Sequence, residues 1–541
     1  MSYNSTSNTD TPEEKKIQQR NSIVIENMPN TKIANFETAI SVAGIGKFQY
    51  LLIIGIIPIS WGSSIDTANM SMILTSAECD LGLSLFDKGL LNAITYVGMM
   101  LSGFMWGYLA DVKGRKKIIL YGYLADGICN IFAGFSQNFE TLVFFKFLSG
   151  FIVSGPYATL LAYCSEFYGD KGRAKIPLIV GFSVSFGYVI NAVFAWLVIP
   201  QPWSIVFGDG VFVYNSWRIY LSICGLPMLI GAACLCFFPE SPKFLMTQDR
   251  NKDALDVFRK IYSINTGLSK DNYPIHALGD VNLNNTIERS YSSKSQNKTK
   301  SLKDGVQQMK LMFLNPHLPR ILLLVTIQFC GMLCLNTLRL WQPQLFITIE
   351  NFNSLNTNIN NLTFCEILDI STSVTENATV ALKEMSNCEK IVIADSIYID
   401  TIIVSAISSL CILCASIFVN YLQHKYLSLI SYGCALLCSV SLIWSRNTLI
   451  TLILTCLYVG LLNKAFNVTL GATVLLFPTS LRAMAVSMEM IMGKMGSIIG
   501  NLIFPILLEY NCVAPIINLI CFNLLSILLT CFVPSTRKHE V

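Results

Sequence analysis

The chain has 541 residues, of which 53% are apolar (AVILMFWYC) and only 13% are charged. That is about half the ~25% charge of an ordinary soluble domain, which excludes a water-soluble globule. A mean hydropathy of +0.53 also excludes collagen and polar disordered polymers. A net charge of +4 leaves no footprint for nucleic acid. The composition is that of a membrane protein.

Residues 1–47 are polar and are read as a cytoplasmic tail, followed by Phe48 to Ile65, 18 positions without a charge, about the length that crosses a hydrocarbon core. No short apolar region with a small-residue cleavage site precedes this run, so it is expected to act as the insertion signal itself. Hydropathy places further spans at 89–110, 116–136, 140–165, 176–200 and 217–238. After a long polar stretch come spans at 320–340, 391–420, 426–445, 448–470, 484–508 and 513–533. The expectation is an all-α, twelve-span protein. Under this scheme 29 Lys and Arg face the inside and five face the outside, so both termini are expected in the cytoplasm.

Of 18 cysteines, all but Cys79, Cys365 and Cys388 are assigned to spans or, for Cys512, to a span's edge, where Cys behaves as a small apolar residue. Cys365 and Cys388 share the outward loop 350–390 with two glycosylation sequons, at Asn361 and Asn377. An oxidising compartment permits a Cys365–Cys388 bridge; the alternative is two free loop thiols.

Six spans, a charged loop and six more spans make two halves, 48–238 and 320–533, flanked by the loop 239–319 and a short tail 534–541, as a parallel internal repeat would. At an offset of 309, Arg173 meets Arg482, Ala174 meets Ala483 and Gly187 meets Gly496. Within the central loop Ser241 is placed to cap a helix starting at Pro242. Ala254, Leu255, Phe258, Ile261 and Tyr262 then recur at helical spacing, which predicts an amphipathic cytosolic helix. From about Ser263 to Ser301 the polar, unpatterned composition predicts a disordered linker.

The connection between spans two and three reads Gly107-Tyr-Leu-Ala-Asp111-Val-Lys-Gly114-Arg115-Lys116-Lys117, a tight basic turn suited to an anionic inner leaflet. Gly103 and Gly107 form a GxxxG, which permits close helix approach. This loop resembles the signature of the major facilitator superfamily. Lys146-Phe-Leu-Ser-Gly150, Glu166 through Arg173, Pro239-Glu240-Ser241-Pro242-Lys243 and Pro478-Thr-Ser-Leu-Arg482 resemble its sugar-porter and organic-ion branches. The sequon-bearing loop after span seven and the run Arg339-Leu-Trp-Gln-Pro343 resemble the synaptic vesicle glycoprotein 2 family. The resemblance implies two pseudo-symmetric six-helix halves and charge pairs that latch the cytoplasmic face, with Gly107, Asp111, Gly114, Arg115, Glu166, Arg173, Glu240, Ser241, Pro242 and Arg482 as the latch residues. The second-half counterpart, Asn420-Tyr-Leu-Gln-His-Lys425, lacks the Asp and the glycines, so part of that latch is missing.

Ionisable residues at membrane depth cost about 2.5–3.5 kcal/mol or more each and usually face a cavity or a partner. Asp66, Asp126, Lys146, Arg339, Asp400, Lys464, Glu489 and Lys494 are such residues. Asp66, Asp400 and Glu489 are candidates for a proton- or cation-responsive carboxylate, and Arg339 or Lys464 for contact with an anionic group or for neutralising those acids. Permanent buried ion pairs, or snorkelling at span ends, are the alternative for each. Asn191, Trp341 and Gln342, with Trp61, Asn69, Tyr96, Tyr157 and Asn336, are candidates to line a central solute path.

These features predict a secondary transporter for a small organic solute, an organic ion or sugar-like compound, working by alternating access with a proton or Na⁺ as the candidate coupling ion. No GxxxxGK[ST], HExxH or GxSxG occurs, so neither an enzyme nor a cofactor or metal is expected. The competing reading is a non-transporting vesicle-type glycoprotein that organises protein partners. The membrane would be the plasma membrane or that of a secretory or synaptic vesicle.

Overall fold

A computed structural model describes residues 33–173, 176–208, 212–279, 312, 314–315, 317–355, 362–370, 395–418 and 422–534. In chain order the helices are α1 (Phe36–Ala43), α2 (Lys47–Leu81), α3 (Leu85–Lys113), α4 (Arg115–Gly134), α5 (Phe139–Ser165), α6 (Asp170–Arg173), α7 (Ile176–Val198), α8 (Ser216–Cys224), α9 (Leu226–Cys236), α10 (Pro242–Thr247) and α11 (Asn251–Thr266). The second half supplies α12 (His317–Leu355), α13 (Ser396–Phe418), α14 (His424–Ile443), α15 (Thr448–Leu476), α16 (Thr479–Tyr510) and α17 (Val513–Phe532). Among the described residues ten rods are long and apolar enough to cross a bilayer, α8 and α9 counting as one. The more polar α3 and α4 pack in the same bundle, α3 along α5 and α16 and α4 along α5 and α9, completing the twelve positions. Pro227, which has no N–H to give the helical ladder, follows the break between α8 and α9 at Gly225.

Two spans run far beyond their expected ends. At 35 residues α2 is about 52 Å long against a hydrocarbon thickness of about 30 Å. Polar positions from Asp66 onward would end a lipid-facing helix, but here Asp66, Asn69 and Ser71 are buried in protein. The α12 helix, 39 residues long, likewise continues past Gln342 and Pro343. The outer end of α2 is closed by Gly82 at φ +61°. It is pinned by Glu78 to Lys88 at 2.7 Å, and by Asp80, which pairs with Arg218 at 3.1 Å and accepts from the Trp217 indole at 2.8 Å. A short antiparallel hairpin, β2 (Ser204–Phe207) and β3 (Phe212–Asn215), precedes α8.

The repeat is visible in how glycines let helices meet. Gly187 brings α7 against Trp61 and Ser64 of α2, and Gly496 brings α16 against Phe329 and Leu333 of α12. The GxxxG does not have that role. A Cβ at Gly107 would meet nothing within 4 Å, and one at Gly103 only Ser154 at 3.9 Å. The close crossing of α3 and α5 lies instead at Gly98 and Gly150.

Helix α10 begins at Pro242 as expected, its cap Ser241 accepting from the Phe244 N–H at 3.1 Å. The predicted apolar face of α11 is buried. The linker expected from Ser263 is corrected in its first part. Helix α11 continues to Thr266, Gly267 closes it at φ +78°, and strand β4 (Ala277–Leu278) pairs in parallel with β1 (Ile33–Ala34); 280–301 lie outside the described residues. The last part of the N-terminal tail joins this layer. Asn35 caps α1, Tyr273 donates to the Ala39 carbonyl at 2.7 Å, and Asn265 donates to the Gly44 carbonyl at 2.9 Å while accepting from the Phe48 N–H at 2.9 Å. An eight-residue helix does not hold by itself in water; here Ala39, Ile40, Val42 and Ala43 are buried.

The expected Cys365–Cys388 bridge is not made. Cys365 bonds to Cys512 across a sequence separation of 147, and the Asp369 carboxylate accepts from the Cys512 N–H at 2.5 Å. Cys512, at the edge of the last predicted span, caps α17 at the turn after α16. Cys79 is also disulfide-bonded. Asn361, Asn377 and Cys388 lie outside the described residues.

Candidate functional site

Three of the singled-out charges converge inside the first half. The Lys146 ammonium of α5 lies 2.9 Å from Asp66 Oδ1 of α2, with both side chains fully buried, and 3.0 Å from Asn130 Oδ1 of α4. The Ser149 hydroxyl, one helical turn beyond Lys146, contacts Asp66 Oδ2 at 2.5 Å and Asp126 Oδ1 at 2.9 Å. A serine hydroxyl has one proton to donate. It cannot satisfy two ionised carboxylates at once, so the cluster is completed only when one carboxyl carries a proton. Ser149 and Asn130 were not chosen from the sequence, although both stand at helical spacing, three residues after Lys146 and four after Asp126.

A cavity lies between the halves, with about 390 Å³ of space, open solvent included. Only enough of it for about one or two waters is wide enough for solvent. Ala68, Ser71 and Met72 of α2 and Tyr188 and Asn191 of α7 line one side. Arg339 and Gln342 of α12, Thr401, Val404, Ser405 and Ser408 of α13, and Val459 of α15 line the other. The Arg339 guanidinium carbon is 4.5 Å from the Tyr188 ring centre. Asn191 Oδ1 accepts from Tyr220 at 2.7 Å, whereas its buried Nδ2 has no hydrogen-bond partner.

The other candidates are placed elsewhere. Trp341 points away from Arg339, fully buried in the core of the second half with its ring 5.1 Å from that of Phe504. Glu489 is buried and accepts from Thr473, away from the cavity. Half-buried Asp400 and Lys464 do not line the cavity. Lys494 of α16 reaches across the halves to Ser154 Oγ of α5 at 3.1 Å.

The residues singled out from the loop motifs form a network in the first half. Arg115 Nε lies 2.9 Å from Glu166 Oε2, which also accepts from Ser241 at 2.5 Å. Glu240 Oε1 accepts from the Lys116 N–H at 2.9 Å, and its other oxygen lies where a Cβ at Gly114 would sit, so only glycine, at φ +101°, fits there. Arg173 reaches Glu37 of α1 at 2.7 Å. Gly107 is exposed, Pro242 is buried at the start of α10, and the Asp111 side chain lies outside the described residues. In the second half Arg482 has no acidic partner among the described residues.

Comparison with known proteins agrees with this architecture. A model of the sugar (and other) transporter family matches residues 40–360. The chain belongs to that family. It is 30% identical over 233 residues to synaptic vesicle glycoprotein 2A of Rattus norvegicus, covering 42% of this chain and 31% of that protein. With synaptic vesicle glycoprotein 2B of Rattus norvegicus it is 30% identical over 231 residues, 42% and 34% of the two chains. The match thus spans about a third of the length of these relatives. The partially occluded inward-open xylose transporter XylE of E. coli superposes with a TM-score of 0.61 at 15% identity, over 90% of this chain and all of that one. A D-xylose–proton symporter superposes at 0.62, also at 15% identity, over 91% of this chain and 99% of that one. The fold is that of the major facilitator superfamily, and the protein is an integral membrane protein.

In this sugar-transporter family member the network around Glu166 carries a pH signature. Burial pushes the Glu166 carboxyl above its ordinary range, while Ser241 and Arg115 pull it down less strongly. A carboxyl whose pKa rises on folding stabilises the fold below its unfolded value of 4.5 and loses that contribution as pH climbs through the raised value. Glu166→Gln is therefore expected to flatten the fall in Tm across that interval, measured by thermal unfolding in detergent from pH 4.5 upward. An unchanged slope would contradict this.

Proposed function

We propose that the protein moves a small organic solute, an organic ion or sugar-like compound, across its membrane by alternating access, with the Asp66–Lys146–Asp126 cluster as its proton- or cation-responsive element. The observation that carries the reading is the cavity lined from both halves. Rocking of one half against the other opens such a cavity to either side in turn. The cluster, which shares helix α2 with the cavity lining, contains two carboxyls for one ammonium, so Asp126 is the position at which a proton or Na⁺ enters or leaves. The loop after α12, with its two sequons, would face the lumen or the cell exterior in a plasma or vesicle membrane, with both termini in the cytoplasm.

The test is uptake of a labelled solute panel by proteoliposomes with and without an imposed proton or Na⁺ gradient. Saturable uptake that a gradient accelerates is expected, and Asp126→Asn should abolish the acceleration. The reading is abandoned if no solute is taken up and Asp66→Asn and Asp126→Asn change no observable. A non-transporting vesicle glycoprotein that organises partners is the second reading. The unlatched second half, with Arg482 unpaired by any described acid, favours it, and that negative result would select it.

A further inference from the structure

The cavity between the halves has an uneven distribution of charge. Arg339 is a permanent cation, and no carboxylate lines the cavity or pairs with it among the described residues. The Arg339 guanidinium carbon lies 4.5 Å from the Tyr188 ring centre, and the N–H groups of a guanidinium fit a carboxylate in two-point fashion. A buried donor without an acceptor, Asn191 Nδ2, belongs to a residue of the same lining, its oxygen already taken by Tyr220. An unpaired buried donor and a cation with no counter-charge on one cavity are costly unless a ligand supplies the acceptor. Met72, Val404 and Val459 add apolar lining.

We infer that this cavity binds a small organic monocarboxylate, its carboxylate on Arg339 and Asn191 and its apolar body against Met72, Val404 and Val459. Gln342 is already engaged with Thr401 Oγ1 at 3.5 Å and holds the α12–α13 wall rather than the ligand. A neutral sugar would leave the guanidinium uncompensated, and an organic cation would meet a like charge at the centre of the site. The contracted space means that the halves must part slightly to admit even a small acid. This assignment rests on the transporter reading for its location and deepens it by naming the solute class.

The experiment uses the full chain in lipid nanodiscs. Thermal stabilisation is titrated with sodium butyrate and sodium benzoate, each against its neutral isostere, butyramide and benzamide. The carboxylates should stabilise saturably and the amides at least about tenfold more weakly, the weight of a charge-assisted contact. Arg339→Gln should remove the preference and Arg339→Lys keep part of it. Asn191→Asp, which adds a like charge beside the carboxylate, should weaken binding comparably and decides the matter if Arg339→Gln does not fold. Equal response to acids and amides, or wild-type titrations from folded Arg339→Gln or Asn191→Asp, overturns the inference. Saturable carboxylate binding without uptake in liposomes would retire transport and support the inference, whereas uptake of neutral solutes with no preference for acids would do the reverse.

Discussion

Replacing Lys146 with methionine is expected to cost about 3–5 kcal/mol, because it leaves the buried carboxyl pair without its cation. That is a large share of a fold stability of about 5–15 kcal/mol. Asp66 and Lys146 are both fully buried and 2.9 Å apart, so neither water nor lipid headgroups replace the lost ammonium. The signature is a sharp drop in monodisperse yield and in Tm after detergent extraction. The double substitution Lys146→Met with Asp66→Asn should recover much of the loss. What costs stability is the uncompensated charge rather than the missing contact, and the two sites are coupled. A Lys146→Met protein with wild-type Tm would mean that the cluster is not dry.

Gly150→Val should be the next most damaging change. A Cβ at Gly150 would run into the Thr95 backbone, and one at Gly98 would lie 2.6 Å from the Phe151 nitrogen, so the α3 and α5 backbones are in direct contact there. Overpacking of this kind costs about 1–3 kcal/mol, and more when the obstacle is main chain. The control is Gly433→Ala in α14, where an added Cβ meets nothing within 4 Å. That change should stabilise the helix by about 0.5–1 kcal/mol. Equal Tm shifts for the two would contradict the assigned crossing.

Much of the network around Glu166 was legible in the sequence because its signals are local. Ser241 and Pro242 open α10, Gly114 marks a turn, and the glycine, proline and basic residues around Arg115, Glu166 and Glu240 mark segments that meet. The partner of Arg173 was not legible. Glu37 belongs to a short helix in a segment too polar on average to suggest burial, held by contacts with residues distant in sequence, α11 and Tyr273 among them. The site was legible in part. Asp66, Asp126 and Lys146 drew attention singly, as did Arg339, Asn191 and Gln342, but grouping them into two sets needs the rotation and depth of five helices. Trp341 illustrates the limit. Two positions from Arg339 on a helix it faces another way, into the second-half core.

By itself the sequence determined the solvent, the number of crossings and the two-half layout, since transfer from water to lipid is summed along a continuous segment and leaves its mark in composition. Only the tertiary structure decided that Cys365 meets Cys512, that the segment around α1 docks on α11 and β4, and that Arg339 stands in a cavity with no acid among its described lining. Contacts between spans depend on how packed helices are rotated and shifted against one another. A change of one residue in register turns a side chain by about 100°, and mean apolarity does not record it.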